Sequence, residues 1–204
     1  MPSKQIIPVG AYAANCIVLW EGTQCLVVDP GQDAADILAF ISSRGLSPAA
    51  LLLTHCHFDH IGGVPEILAR NPGIPTYAHP SDWPMFGHPM NHCPPEYPPV
   101  VRPGTLLDIR EAPAALPSFG MEVLETPGHT PGSVCLKFGT LLLSGDTLFA
   151  GSCGRTDFPG GNMAAMRASL ASLAKLPPET EVVPGHGGVT TIGQEVATNP
   201  FMVG

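Results

Sequence analysis

The chain has no run of lysine or arginine and no apolar stretch that approaches 18 residues. The first absence removes the basic footprint that nucleic-acid binding needs. The second removes a membrane-spanning helix. Charge of either sign is scarce, at 13% of residues, and 9 basic against 17 acidic side chains leave a net −8. Part of that negative charge is available for cations. The N-terminal MPSKQIIPVGAYAANC lacks a basic segment followed by a long apolar core, so no signal peptide is expected and a cytoplasmic location is. The six cysteines (Cys16, Cys25, Cys56, Cys93, Cys135 and Cys153) show no C-x-x-C spacing. They are expected to pack as small hydrophobes rather than to form a disulfide framework.

Proline and glycine are plentiful, 24 and 23 of 204 residues, so turns are frequent. Hydrophobic residues make up 44%, enough for a substantial core, and one domain over residues 1–204 is expected. NCIVLW (15–20) and CLVVDPG (25–31) read as a β-hairpin. Asp33 opens a helical pattern with Ala34, Ile37, Leu38 and Ile41 on one face, stopped by Gly45. AALLLTH (49–55) reads as a buried strand, followed by a helical stretch to Arg70. MEVLET (121–126), SVCLKF (133–138), TLLLSGD (140–146) and TEVVPGHG (180–187) supply further strands. Asn162 to Leu176 is amphipathic, with Met163, Met166, Leu170 and Leu173 on one side. Strands and helices interleave, yet several strands are neighbours in sequence, which points to mixed sheets. Residues 79–104 hold eight of the prolines and read as a long insert that borders the site and shapes its mouth.

The chemistry concentrates in THCHFDHIGG (54–63). His55, His57, Asp59 and His60 lie within six residues at the end of an apolar strand, and imidazole with carboxylate is a ligand set for Zn²⁺, Fe or Mn. Three more candidates stand at strand ends: His129 in TPGHTPG, Asp146 in TLLLSGD and His186 in VVPGHGG. Asp29, in VVDPG, has two readings, a turn former before proline or an acceptor that orients a ligand imidazole. Arg155, in GSCGRTDFPGG, either grips an anionic substrate or ties its loop through Asp157. Cys56 points away from its ligand neighbours on an extended chain and is read as packing. His88, His92 and Cys93 lie close in sequence among prolines and are read as loop.

The motif T-H-C-H-F-D-H-I-G-G, with His129, Asp146 and His186 in order behind it, resembles that of the metallo-β-lactamase superfamily. VVDPG, PGHTPG, SGDTLFAGSCGRTDFPGG and PGHGGVTTIGQE…NPF are most similar to its glyoxalase II-like group, the hydroxyacylglutathione hydrolases, and to short single-domain bacterial members. The resemblance implies an α/β fold, a four-layer αββα sandwich of two mixed sheets with metals at one edge. It implies that His55, His57 and His129 hold one cation, that Asp59, His60 and His186 hold a second, and that Asp146 bridges them. Asp59 and Asp146 become the catalytic carboxylates. Two divalent metal ions per chain are expected, Zn²⁺ first, with Fe and Mn compatible. A hydroxide shared by the metals would attack the carbonyl of a small-molecule thioester such as S-lactoylglutathione. Nucleic acid and membrane partners are not expected.

Two features depart from that pattern. Only 18 residues follow His186, so the helical C-terminal glutathione-binding domain of full-length glyoxalase II is not expected. SCGRTDF (152–158) also resembles a stretch in persulfide dioxygenases of the same superfamily, which use one iron. A complete second ligand set and the terminal GHGGVTTIGQE favour the hydrolase. Lactonase or β-lactamase-like hydrolysis remains an alternative on the same chemistry, and a metal-stabilised binding module is the non-enzymatic one.

Overall fold

Continuous apolar runs mark strands buried on both faces, and these strands organise the molecule. The structure, a computed structural model, describes residues 2–92 and 97–202. The chain runs β1 (Ser3–Val9), β2 (Ala14–Glu21), β3 (Gln24–Val28), α1 (Ala34–Ser43), β4 (Ser47–Leu52), α2 (Phe58–Ile61), α3 (Val64–Arg70) and β5 (Thr76–Ala78). It continues through β6 (Leu106–Asp108), α4 (Ala112–Ala115), β7 (Met121–Glu125), β8 (Val134–Phe138), β9 (Leu141–Gly145), β10 (Leu148–Phe149) and β11 (Ser152–Cys153). α5 (Met163–Leu173), β12 (Glu181–Pro184), β13 (Thr190–Thr191) and α6 (Ile192–Thr198) complete it.

Two mixed sheets form. The first has six strands in sequence order, antiparallel from β1 to β3 and parallel from β3 to β6. The second has five, in the order β13-β12-β9-β8-β7, parallel only between β9 and β12. Side chains alternate across each strand and so divide into three cores. Cys16, Val18, Val27 and Leu51 pack under α1 and α3 with Ile37, Ile41 and Ile67. Ile17, Leu19, Leu26 and Leu52 meet Leu136, Leu141, Leu143 and Val183 between the sheets. Cys135, Leu142 and Val182 pack against Met166, Leu170 and Leu173 of α5 and Ile192 of α6. Three cores separate four layers, helix, sheet, sheet, helix, as the motifs imply.

The hairpin of β2 and β3 and the helix from Ala34 appear where the patterns place them, with Gly45 at φ +62° ending the helix. β1 is an addition, because SKQIIPV alternates weakly and carries Pro8. As an edge strand it tolerates proline. Met163 is exposed, since the buried stripe of α5 starts one turn later at Met166. Cys16, Cys25, Cys56, Cys135 and Cys153 are free thiols, the first four buried. The 79–104 insert holds two short 3₁₀ turns, Pro80–Met85 and Pro89–His92. The grouping of His88, His92 and Cys93 falls partly outside the described residues.

Candidate metal centre

Every candidate ligand stands just past the carboxyl end of a strand, on one edge of the sandwich. His55 and His57 follow β4, and Asp59 and His60 sit on α2, which starts directly after them. His129 lies between β7 and β8, Asp146 follows β9, and His186 follows β12. The first sheet therefore supplies four of the seven side chains and the second supplies three. His55, His57 and His129 converge with ligand atoms within 4.8 Å of one another, as do Asp59, His60 and His186. A third triple, Asp29, His55 and His60, meets the same limit.

Hydrogen bonds on the far side of four of the rings show which nitrogen faces inward. His129 Nδ1 lies 2.7 Å from the Arg155 carbonyl and His186 Nδ1 3.1 Å from the Tyr12 carbonyl. A carbonyl only accepts, so both rings carry a proton on Nδ1 and turn Nε2 inward. His60 Nδ1 lies 3.2 Å from Asp29 Oδ2, with the same result. Thr54 donates its hydroxyl to Asp29 Oδ2 at 2.6 Å, so its lone pair accepts from His55 Nδ1 at 3.2 Å.

The inner ring nitrogens then face one another and two carboxylates. His60 Nε2 and His186 Nε2 are 3.2 Å apart, and His57 Nδ1 and His129 Nε2 are 2.8 Å apart. Asp146 Oδ1 lies 3.5 Å from His60 Nε2, and its Oδ2 lies 3.4 Å from His129 Nε2. Asp59 Oδ2 lies 3.3 Å from His186 Nε2. His55 Nε2, His57 Nε2 and Asp146 Oδ1 are buried with no hydrogen-bond partner. Ring nitrogens and carboxylate oxygens gathered this closely, three of them buried without a partner, are a donor set that a cation satisfies. The residues present fit a pair of divalent cations, with Asp146 facing both groups.

The charge balance differs between the two groups. Burial and the neighbouring His129 push His57 down to about 3, and burial with four imidazoles also lowers His55. Burial opposes a charge on His60, yet Asp59, Asp146 and Asp29 outweigh it and push the ring up to about 10. Burial likewise opposes a charge on His186, but a hydrogen bond to Asp59 and the charge of Asp146 raise it. Asp59 is held well below the usual carboxylate range, because His60 and His186 overcome its burial. Without a metal, positive charge thus collects on the carboxylate-rich side.

Asp29 sits at φ +49°, a left-handed conformation that aspartate tolerates better than most residues. That bend aims its carboxylate at the Thr54 N–H, at 2.7 Å, the Thr54 hydroxyl and His60. Asp29 thus spends its oxygens orienting the ligand imidazoles, which leaves the third triple as support rather than a separate site. Gly185 lets the second sheet come close, since a Cβ there would collide with Asp146 Oδ1 and crowd His60. Gly154 packs against the Asp146 carbonyl and His129 in the same way.

Asp82, which the motifs do not mark, clamps the first group from behind. Its carboxylate, fully buried in the insert, accepts from the Gly132 N–H at 2.7 Å, the Thr130 hydroxyl at 2.7 Å and the Cys56 N–H at 3.2 Å. Those groups flank His129, His55 and His57. Asn91 adds a bond of 2.8 Å to the Cys56 carbonyl. Among the described residues of the insert, none lines the cavity above the ligands. Its polar side chains turn inward to hold ligand loops, and its Tyr97 packs on Phe58 at 4.7 Å. Cys56 is buried in the core under α1 and α3, and burial pushes its thiol well up.

A cavity of about 690 Å³ opens over the ligands. Tyr12, Phe58, Phe149 and Phe158 form much of its wall; Phe58 lies in THCHFDHIGG, Phe149 and Phe158 lie in SGDTLFAGSCGRTDFPGG, and Tyr12 lies in neither. Phe158 lies 5.7 Å from His57, and Phe149 6.1 Å from His186, so aromatic rings flank both groups. Arg155 lines the cavity but is engaged by Asp157 in two bonds of 2.7 and 2.6 Å. The wall is braced by the terminal motif. Asn199 donates to the Phe149 and Ser152 carbonyls, and Glu195 accepts from the Gly151 N–H.

Two mixed sheets between helices, with paired His/Asp groups at the strand ends, define a class of metal-dependent enzymes. The chain belongs to the metallo-beta-lactamase superfamily, whose family model matches residues 9–186. Among curated relatives it is 38% identical to "Probable metallo-hydrolase YqgX" of Bacillus subtilis, over 97% of this chain and 96% of that one. It is 32% identical to "Hydroxyacylglutathione hydrolase GloC" of Haemophilus influenzae, over 97% of both. Among solved structures it is similar to the BLEG-1 B3 metallo-beta-lactamase, with TM-score 0.89 and 35% identity over 99% of this chain and 100% of the other. It is also similar to TTHA1623 in a di-iron-bound form, with TM-score 0.86 and 38% identity over 97% and 99%. The chain is a metal-dependent hydrolase of this superfamily.

Proposed function

We propose that this chain is a binuclear metallohydrolase that cleaves thioesters, with S-lactoylglutathione as the reference substrate. The observation that carries the proposal is the pair of three-residue groups that share Asp146. His55, His57 and His129 would hold one cation and Asp59, His60 and His186 the other. When bound, the cations supply a nucleophilic water at neutral pH and positive charge for the developing oxyanion.

The chain's own residues do the rest. Asp29 and Thr54 hold His60 and His55 with their lone pairs facing inward. The Arg155 and Tyr12 carbonyls do the same for His129 and His186. The aromatic wall excludes bulk water from one side of the substrate. A thiolate leaves without help from a strong acid, so the reaction needs no general acid at the sulfur.

The relative named as a hydroxyacylglutathione hydrolase supports the thioester reading. The ligand set is all imidazole and carboxylate, which Zn²⁺, Fe and Mn accept, and we propose Zn²⁺ or Fe as the occupants. The test is metal analysis of purified protein with S-lactoylglutathione turnover on the same sample. Two cations per chain with turnover are expected. One iron per chain, oxygen uptake on a persulfide and no thioester cleavage would overturn the proposal in favour of a mononuclear dioxygenase.

A further inference from the structure

The cavity walls also speak to which thioesters the site takes, an inference that rests on the thioester reading above. The sequence holds nine cationic side chains. Lys4, Arg110 and Lys137 pair with Glu181, Asp108 and Glu122. Arg44 and Arg102 lie over Trp20 and Trp83. Arg70 ends α3, Arg167 lies in α5 and Lys175 follows it. Arg167 is felt at Cys153 electrostatically but does not line the cavity. Arg155 alone among the nine lines it.

Arg155 is not a free cation. Asp157 accepts from its Nε and Nη2, and the guanidinium lies 3.9 Å above the Phe158 ring. A substrate carboxylate would have to displace the Asp157 carboxylate, exchanging one bidentate pair for another of the same kind. The net gain from that exchange is small. Glutathione presents two carboxylates, and no described cationic side chain other than Arg155 lines the cavity to receive them. The apolar surface, by contrast, is extensive and lies on both sides of the reacting centre. Phe158 stands beside His57, and Tyr12, Phe58 and Phe149 stand on the His186 side. Aromatic rings of this kind bind uncharged apolar groups.

We infer that the site selects thioesters by an apolar, uncharged acyl group, aryl-substituted or of medium chain length, and not by the anionic peptide of glutathione. In the reaction, water oxygen adds to the acyl carbon and the C–S bond breaks with its electron pair going to sulfur. The products are a carboxylate, a thiol and the proton released by the acid.

Matched substrates test this on the purified protein with its own metals. S-lactoylglutathione, S-lactoyl-N-acetylcysteamine and S-phenylacetyl-N-acetylcysteamine separate the thiol carrier from the acyl group. Exchange of glutathione for the neutral carrier is expected to change kcat/KM by less than tenfold. Exchange of lactoyl for phenylacetyl is expected to raise it at least tenfold, through KM. Phe158→Ala should then raise the KM for the phenylacetyl substrate about tenfold with kcat within twofold. A glutathione advantage of tenfold or more, no gain from phenylacetyl, or an unmoved KM in Phe158→Ala would overturn the inference while leaving thioester hydrolysis intact. Turnover of none of the three by metal-loaded protein would overturn the thioester reading itself, and this inference with it.

Discussion

Removal of the Asp82 carboxylate tests whether the insert positions the first ligand group. In Asp82→Ala, the Gly132 and Cys56 N–H groups lose their acceptor in a buried region. Each buried donor left unpaired costs about 1–3 kcal/mol. The Thr130 hydroxyl keeps its contact with Ser133 Oγ at 2.8 Å, so it adds little. Burial lifts the Asp82 carboxyl above the usual range despite its three donors, so deletion also relieves some desolvation. The net destabilisation is about 2–4 kcal/mol. For a chain of this length that lowers Tm by about 5–15 °C, readable by thermal unfolding followed by circular dichroism. Asp82→Asn keeps one acceptor for Gly132 but presents an NH₂ to the Cys56 N–H, so about half the loss is expected. Because the clamp grips the residues beside His55, His57 and His129, metal analysis of Asp82→Ala should show one cation lost before the other. A variant that melts within 1 °C of the parent and keeps its full metal content would refute the reasoning.

Asp146→Ala should lose bound metal and activity together, since its two oxygens face both groups; elemental analysis beside turnover checks it, and a fully active variant would show that the bridge is misassigned. Asp29→Ala leaves His60 Nδ1 and the Thr54 N–H without their acceptor, so metal affinity should fall about 10–100-fold in competition with a chelator. Unchanged affinity would mean that the ring is held by other contacts. Gly185→Ala places a methyl against Asp146 and His60, so an otherwise folded protein with reduced metal content is expected. Normal metal content there would show that the two sheets can separate slightly at no cost.

Much of this was legible because the pattern is strong where the chemistry is. The H-x-H-x-D-H cluster after an apolar strand, with His129, Asp146 and His186 at later strand ends, marked the seven side chains that the fold gathers. Continuous apolar runs in β2, β3, β8 and β9 announced strands buried on both faces. What escaped notice carried no local signal. Asp82 is a single acid in a proline-rich stretch, and only the folded chain brings it under Cys56 and Gly132. Tyr12 is an isolated aromatic in a turn, Phe149 ends β10 and Phe158 follows β11, and their shared wall exists only after the two sheets meet. The described polar groups of the insert that are buried find partners in the ligand loops, a role that no spacing in the sequence marks. Asp29 had two readings from sequence, and its left-handed backbone serves both, turning the chain and aiming the carboxylate.

Each three-residue group draws on both sheets, His129 joining His55 and His57, and His186 joining Asp59 and His60. The accuracy of the centre is therefore set by the alignment of the two sheets. That alignment rests on the Leu52, Leu136, Leu143 and Val183 interface, which contains no ligand, and on bonds between the sheets such as Asn15 N–H to the Gly185 carbonyl and Val134 N–H to the Thr54 carbonyl. The layer between the sheets behaves as the bearing surface of a caliper whose jaws are the imidazoles. Substitutions there that preserve volume and leave the fold intact would still change how far the jaws open, and the metal would register them before stability did.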